Sequence, residues 1–172
     1  MLKSSRLRPS ERLIMAKSPP SGIKIVAENR KARFNYHLED FFEAGLVLLG
    51  TEVKSLRDGR GNLTDAYCDV VEGELWLINA HISPYTHGTH SNHEPRRPRK
   101  LLLHKREIKK LIGRIVERGY TLIPTKIYFK RGLAKVEVAL AKGKRAPDKR
   151  ETIRRRTLDR EMERAIKDHH KR

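Results

Sequence analysis

The period-two pattern is clearest near the end of the chain. Ala134, Val136, Val138 and Leu140 alternate with Lys135, Glu137 and Ala139, which predicts a half-buried strand over residues 133–141. A partner strand over residues 120–130 precedes it, joined around Lys130-Arg131-Gly132. Upstream the period becomes helical. Ile108, Leu111, Ile112, Ile115 and Val116 form one stripe over about residues 104–118, and Gly119 is the stop. Lys105, Arg106, Lys109, Lys110 and Arg114 cover its other side. Gly113 inside that helix costs about 1 kcal/mol against Ala, which predicts close packing there.

Earlier in the chain, two strand-like runs, 66–71 and 74–82, flank Glu72-Gly73, an X-Gly hairpin signal. Trp76, the only tryptophan, is expected in the core rather than as a stacking platform. Phe34 and Tyr36 are expected on one strand face, and Leu38, Phe41 and Phe42 on a helix ending at Gly45. The run Leu46–Leu49 reads as a strand leading into residues 50–59. There Val53 and Leu56 fall on the inner side of a short helical turn, with Thr51 as its cap and Gly59 as its left-handed end. About six short strands with two or three helices predict a small antiparallel β-barrel of oligonucleotide-binding type. A flat open α+β sheet is the alternative.

Both ends depart from this patterning. Residues 1–22, closed by Pro19-Pro20-Ser21-Gly22, read as a disordered basic arm, and Met15 offers an alternative start. Residues 83–100 read as a loop broken by Pro84, Gly88, Pro95 and Pro98, ending in the basic run Arg96, Arg97, Arg99 and Lys100. The barrel domain spans 23–143. Beyond it, residues 144–172 carry only a thin seam, Ile153, Leu158, Met162 and Ile166, too narrow for an isolated helix. That predicts a disordered basic tail that folds on a polyanionic partner.

Charge decides the class of partner. The formal net charge is +18, and residues 1–24 and 141–172 hold six Lys/Arg against one acid and thirteen against six. Basic arms around a basic body predict a nucleic-acid-binding protein. No run of about 18 apolar residues could span a bilayer, no apolar stretch marks a signal peptide, and the lone Cys68 excludes an internal disulfide. A soluble, cytoplasmic protein is expected. No catalytic constellation is recognisable. His87, His90 and His93 recur at intervals of three, but no Cys or acidic cluster accompanies them, so no metal or cofactor is expected. Gly59 and Gly61 around Arg60 do not make a phosphate loop, since no Lys-Ser/Thr pair follows them.

Several blocks then occur in one order: Asn29-Arg30-Lys31-Ala32, Phe42-Glu43-Ala44-Gly45, Gly50-Thr51-Glu52-Val53-Lys54-Ser55-Leu56-Arg57, Asn62-Leu63-Thr64-Asp65-Ala66-Tyr67, Arg99-Lys100-Leu101-Leu102-Leu103-His104, and Gly143-Lys144 with Asp148-Lys149-Arg150. From about Ile25 to Arg156 the chain closely resembles the small protein B family of SsrA-binding proteins. The resemblance implies a protein that binds the tRNA-like domain of transfer-messenger RNA. With elongation factor Tu–GTP it would carry that RNA to stalled bacterial ribosomes for trans-translation. It implies an RNA surface of Glu43, Leu102 and Lys135, with Asn29, Arg30, Lys31, Arg99, Lys100 and His104. It also implies a ribosome-binding tail for the decoding centre, its 16S rRNA and the mRNA channel: Lys142, Gly143, Lys144, Asp148, Lys149, Arg150, Leu158, Met162 and Ile166. One departure stands out: relatives often place Tyr or His where this chain has Pro147. A ribosomal or ribosome-assembly protein would share the charge and the tails, and sequencing the RNA that copurifies separates the two.

Overall fold

The computed structural model describes residues 22–87, 92–116 and 119–169. The expected N-terminal arm and His90 lie outside them. In chain order the elements are β1 (Ile23–Glu28), α1 (Arg30–Asn35), β2 (Tyr36–Leu46), α2 (Gly50–Arg57), β3 (Gly61–Asn62), β4 (Tyr67–Val71), β5 (Glu74–Ile78), β6 (His81–Ile82), β7 (Arg99–Leu102), α3 (Lys105–Val116), β8 (Tyr120–Lys130), β9 (Leu133–Gly143) and α4 (Ala146–His169).

Six strands close on themselves. β8 pairs with β9, β9 with β2, β2 with β7, β7 with β5 and β5 with β4, and β4 returns to β8 at Cys68 opposite Leu122. All these pairings are antiparallel. β1 lies along the same edge of β8 that β4 meets, and β3 and β6 make a two-stranded accessory. Such closure removes exposed sheet edges and gives the architecture expected of a small oligonucleotide-binding type. The enclosed core includes Leu56, Leu75, Leu77, Ile82, Leu101, Leu111, Leu122, Ile127, Val136, Val138 and Leu140. Two hairpins are tied by left-handed residue pairs, Glu72-Gly73 and Arg131-Gly132, whose positive φ angles match the twist of the strands they join.

Five local expectations change. Residues 38–44 are strand, not helix. A bulge between Leu38 and Phe41 inserts one residue into β2, so an alternating strand acquires a helix-like spacing of apolar residues. Past the bulge Phe42 packs on the core, Ala44 and Leu46 are buried, and Phe41 faces out. Conversely, Phe34 does not share a strand with Tyr36: it belongs to a helical turn, Arg30–Asn35, which Asn29 caps by accepting from Ala32 N at 3.1 Å. Leu46–Leu49 is strand only to Leu46. Gly113 faces open space: a Cβ added there would meet nothing within 4 Å, so close packing does not explain it. Trp76 points outward between buried Leu75 and Leu77 and is half-buried.

The tail also differs from its expected disorder: residues 146–169 form one helix. Arg145 N donates to Asp148 Oδ2 at 3.1 Å at its start. No glycine or proline follows Pro147, a residue suited to the first helical turn, and the helix formers Arg, Glu and Lys dominate. Glu151 and Glu163 stand four residues before Arg155 and Lys167, a supporting spacing. Propensity here outweighs the thinness of the seam.

Candidate nucleic-acid interface

The block over residues 50–57 is a scaffold for the strand that carries Leu102. On α2, Leu56 points into the core, while Glu52 and Ser55 are buried with it. Thr51 does not cap the helix. Its hydroxyl meets His93 Nδ1 at 2.9 Å, and His93 Nε2 lies 3.0 Å from the Ile82 carbonyl. Glu52 serves the N-terminus instead, accepting from Leu49 N at 2.7 Å. Its carboxylate also accepts from Arg97 Nε and Nη2 at 2.9 and 2.6 Å and from Arg99 Nε at 2.8 Å. Arg99 is wholly buried, and its remaining donors reach the carbonyls of Ala80, Arg97 and Pro95. Burial alone would raise the Glu52 pKa. The guanidinium of Arg97, the Leu49 N–H and Arg99 outweigh it and hold the carboxyl below its ordinary value. Arg99 therefore fixes the course of β7 and does not reach the surface.

β7 then crosses β2 with Leu102 opposite Gly45, and on the other side of β2 Gly45 lies opposite Lys135 of β9. Tyr128 of β8 comes next, opposite Lys135, and Ile25 of β1 opposite Tyr128. The row is closely packed at its glycine: a Cβ at Gly45 would lie 3.3 Å from Leu102 Cβ, so Leu102 would have to give by a few tenths of an ångström. Glu43, two residues along β2, shares the outer face. Its carboxylate accepts from the Tyr128 hydroxyl at 2.5 Å and from Lys130 Nζ at 2.9 Å, both on Oε2. Lys135 Nζ stands 3.9 Å from Oε1. The Tyr128 hydrogen bond, then that of Lys130, holds the Glu43 pKa below its usual value against a smaller effect of burial. Burial, then the Glu43 hydrogen bond, pushes the Tyr128 phenol up, so it remains a donor. Leu102 is 54% exposed. An apolar side chain, a cation and an ionised acceptor thus sit side by side on a sheet face, a combination suited to a nucleotide's base or sugar, phosphate and hydroxyl.

The remaining expected residues do not join this face. Asn29 is buried, its amide donating to the carbonyls of Leu63 at 3.0 Å and Pro124 at 3.3 Å. It holds α1 in place rather than offering a free side chain. Arg30 and Lys31 project from α1, and Arg30 Nε lies 3.6 Å from Glu28. Lys31 lines a polar cleft of about 470 Å³ with Asn35, Thr64, Asp65, Tyr67 and Thr121. Lys100 pairs with Glu74 across β5 and β7. His104 is exposed at the start of α3, its N–H donating to Glu107 Oε2 at 3.2 Å.

The tail residues gather at the opposite end of β2. Tyr36 is opposite Gly143 and His37 opposite Lys142. The nine-residue separation of Tyr36 from Gly45 corresponds to at most about 30 Å of strand. Lys144 N donates to the Asn35 carbonyl at 2.9 Å, and its amine donates to the Arg33 carbonyl at 3.1 Å and to Thr152 at 3.3 Å. His37 Nε2 lies 3.4 Å from Asp148, whose pKa is lowered first by that contact and then by the Arg145 N–H. Arg156 stacks over Phe34 at 5.5 Å. Lys149 is half-buried, whereas Arg150, Leu158, Met162 and Ile166 are exposed along α4. Sequence reasoning missed Tyr128, Lys130 and the buried Glu52–Arg97–Arg99 cluster. Among the described residues no group of three or more potential metal ligands converges.

The family model described as SmpB protein matches residues 26–168. An SsrA-binding protein of Trichodesmium erythraeum is 57% identical over 154 residues, covering 89% of this chain and 99% of that one. An SsrA-binding protein of Acidothermus cellulolyticus is 58% identical over 146 residues, covering 85% and 92%. A solved chain described as "tmRNA-SmpB: a journey to the center of the bacterial ribosome" superimposes with a TM-score of 0.61 at 47% identity, covering 78% of this chain and 96% of that one.

Proposed function

The chain belongs to the SmpB family, and from that premise we propose that it binds the tRNA-like domain of transfer-messenger RNA and brings it to stalled ribosomes for trans-translation. It acts by binding and placement, not by catalysis, in the cytoplasm where translation runs. The observation that carries the site assignment is the row Leu102–Gly45–Lys135 with Glu43 beside it, three chemically distinct side chains brought from three strands to one exposed face. On this reading Glu43, Leu102 and Lys135 touch the RNA, and Arg30, Lys31, Lys100 and His104 add contacts around it. Asn29 and Arg99 act indirectly, by fixing α1 and β7. The separate cluster from Lys142 to Arg150, with α4, faces the ribosome. Elongation factor Tu–GTP joins through the charged RNA.

Two substitutions test the face. Lys135→Ala should weaken RNA binding at physiological salt and make the plot of log affinity against log salt shallower by about one phosphate contact. Glu43→Ala should weaken binding with little change of that slope, because it removes an acceptor and no cation. Neither is a member of the buried core, so both proteins should unfold at close to the parental denaturant midpoint. Parental affinity and slope in both variants, measured by titration of labelled RNA, would remove these residues from the site.

A further inference from the structure

The two oxygens of Glu43 are not equivalent. Oε2 takes the Tyr128 hydroxyl at 2.5 Å and the Lys130 amine at 2.9 Å, whereas Oε1 takes only a 3.2 Å bond from that same amine. Tyr128 is locked in place. Although it faces outward, it is 5% exposed, and Lys126 Nζ lies 5.9 Å from the centre of its ring. Oε1 is the oxygen nearest Lys135, at 3.9 Å, beyond a hydrogen bond.

A carboxylate with both oxygens open can grip two adjacent donors of a base edge. With Oε2 occupied, Glu43 can serve one donor well. That donor must have a phosphate close by, because Lys135 stands next to the same oxygen. A ribose 2′-hydroxyl satisfies this, lying beside its own 3′ phosphate, whereas the exocyclic amine of a base is a ring's width away. The exposed methyls of Leu102, across Gly45 from Lys135, are placed for the apolar side of the sugar or base.

We propose that Tyr128 and Lys130 are positioning residues that block Glu43 Oε2, leaving Oε1 as a single acceptor for one ribose 2′-hydroxyl whose phosphate rests on Lys135. The face is then a ribose reader, which distinguishes RNA from DNA at one nucleotide without reading its base. This inference rests on the assignment of the face to RNA binding.

Its test uses the full chain and a transcript of the tRNA-like domain carrying single 2′-deoxy substitutions. One position should cost the wild-type protein about tenfold in affinity, the effect of losing one hydrogen bond to a charged group. Glu43→Ala should bind the all-ribose RNA about tenfold more weakly and be indifferent to deoxy substitution at that position. Tyr128→Phe, which keeps the ring and removes only the hydroxyl, should bind more weakly and show a reduced penalty there. The scan with wild type and Glu43→Ala stands by itself if Tyr128→Phe fails to fold, a point its denaturation curve decides. If Glu43→Ala binds the all-ribose RNA as tightly as wild type, the ribose reading falls, and if Lys135→Ala also keeps parental affinity and salt slope, the assignment of the face to RNA falls with it. If Glu43→Ala is weakened yet pays the same deoxy penalty as wild type, or no position carries a penalty, the ribose reading alone is overturned. Tyr128→Phe with wild-type affinity and an undiminished penalty would remove its positioning role.

Discussion

Glu52→Gln should lose about 3–5 kcal/mol of unfolding stability at neutral pH, the cost of breaking a buried ion pair on one side. The substitution keeps the side chain's shape but leaves the Arg99 guanidinium, wholly buried, without its counter-charge. It also weakens the pairing with Arg97 and the hydrogen bond from Leu49 N, so the start of α2 and the approach to β7 loosen together. The pH dependence identifies the cause. The folded-state pKa of Glu52 is depressed, so its contribution is fully present above the unfolded value near 4.3 and is lost as pH falls through the folded value. Wild type should therefore lose stability below about pH 5 more steeply than Glu52→Gln. Asp58→Asn, at an exposed position just past α2, should change stability by no more than about 0.5 kcal/mol. Urea denaturation across pH 3–8 decides the matter. Equal midpoints for Glu52→Gln and wild type at pH 7, or equal acid slopes, would show that the buried carboxylate does not hold this corner.

What is legible in the sequence depends on whether a local period survives the tertiary pairing. The strands over residues 120–130 and 133–141, the Glu72-Gly73 hairpin and α3 carry an undisturbed period, and they occur close to their expected limits. β2 reads as a helix because its bulge breaks the period inside the strand, a break set by pairing with β9 and invisible locally. The outer face is legible in part. Glu43, Leu102 and Lys135 are implied by the family resemblance, and the register does bring them together. Tyr128 and Lys130 lie in a run where one strand looks like any other, and only the β8–β9 register places them beside Glu43. Asn29 and Arg99 carry polar side chains that look like RNA ligands in a basic sequence. Their burial comes from carbonyls supplied by segments 34 and 95 residues away for Asn29, and by residues 80 and 95–97 for Arg99. No spacing along the chain announces such partners.

A chain ending at Pro147 should bind transfer-messenger RNA with affinity within about threefold of the full chain, yet fail to support tagging of nascent peptides on stalled ribosomes. The two buried clusters end at Leu140 and Ala141, so removing residues 148–172 takes nothing from the core, and the denaturation midpoint should be unchanged. The Glu43–Leu102–Lys135 face lies toward the other end of β2 and is left intact. What is lost is the His37–Asp148 contact, the Lys144–Thr152 bond, the Arg156–Phe34 stack and the rest of α4. At 24 residues α4 extends about 36 Å, long enough to enter a channel lined by ribosomal RNA. Lys149, Arg156, Arg160, Arg164 and Lys167 fall within one arc of its surface, while Leu158, Met162 and Ile166 recur every four residues on the other. A helix with one cationic side can lie along phosphates, and the thin apolar side remains for whatever else lines the path. Because the root of α4 is fastened to α1 and β2, the orientation of the barrel also sets where that helix points. Two measurements separate the roles: titration of the RNA, and tagging in a reconstituted translation reaction. Normal tagging by the truncated chain would end this account of the tail, and a collapse of RNA affinity would move the tail into the RNA site.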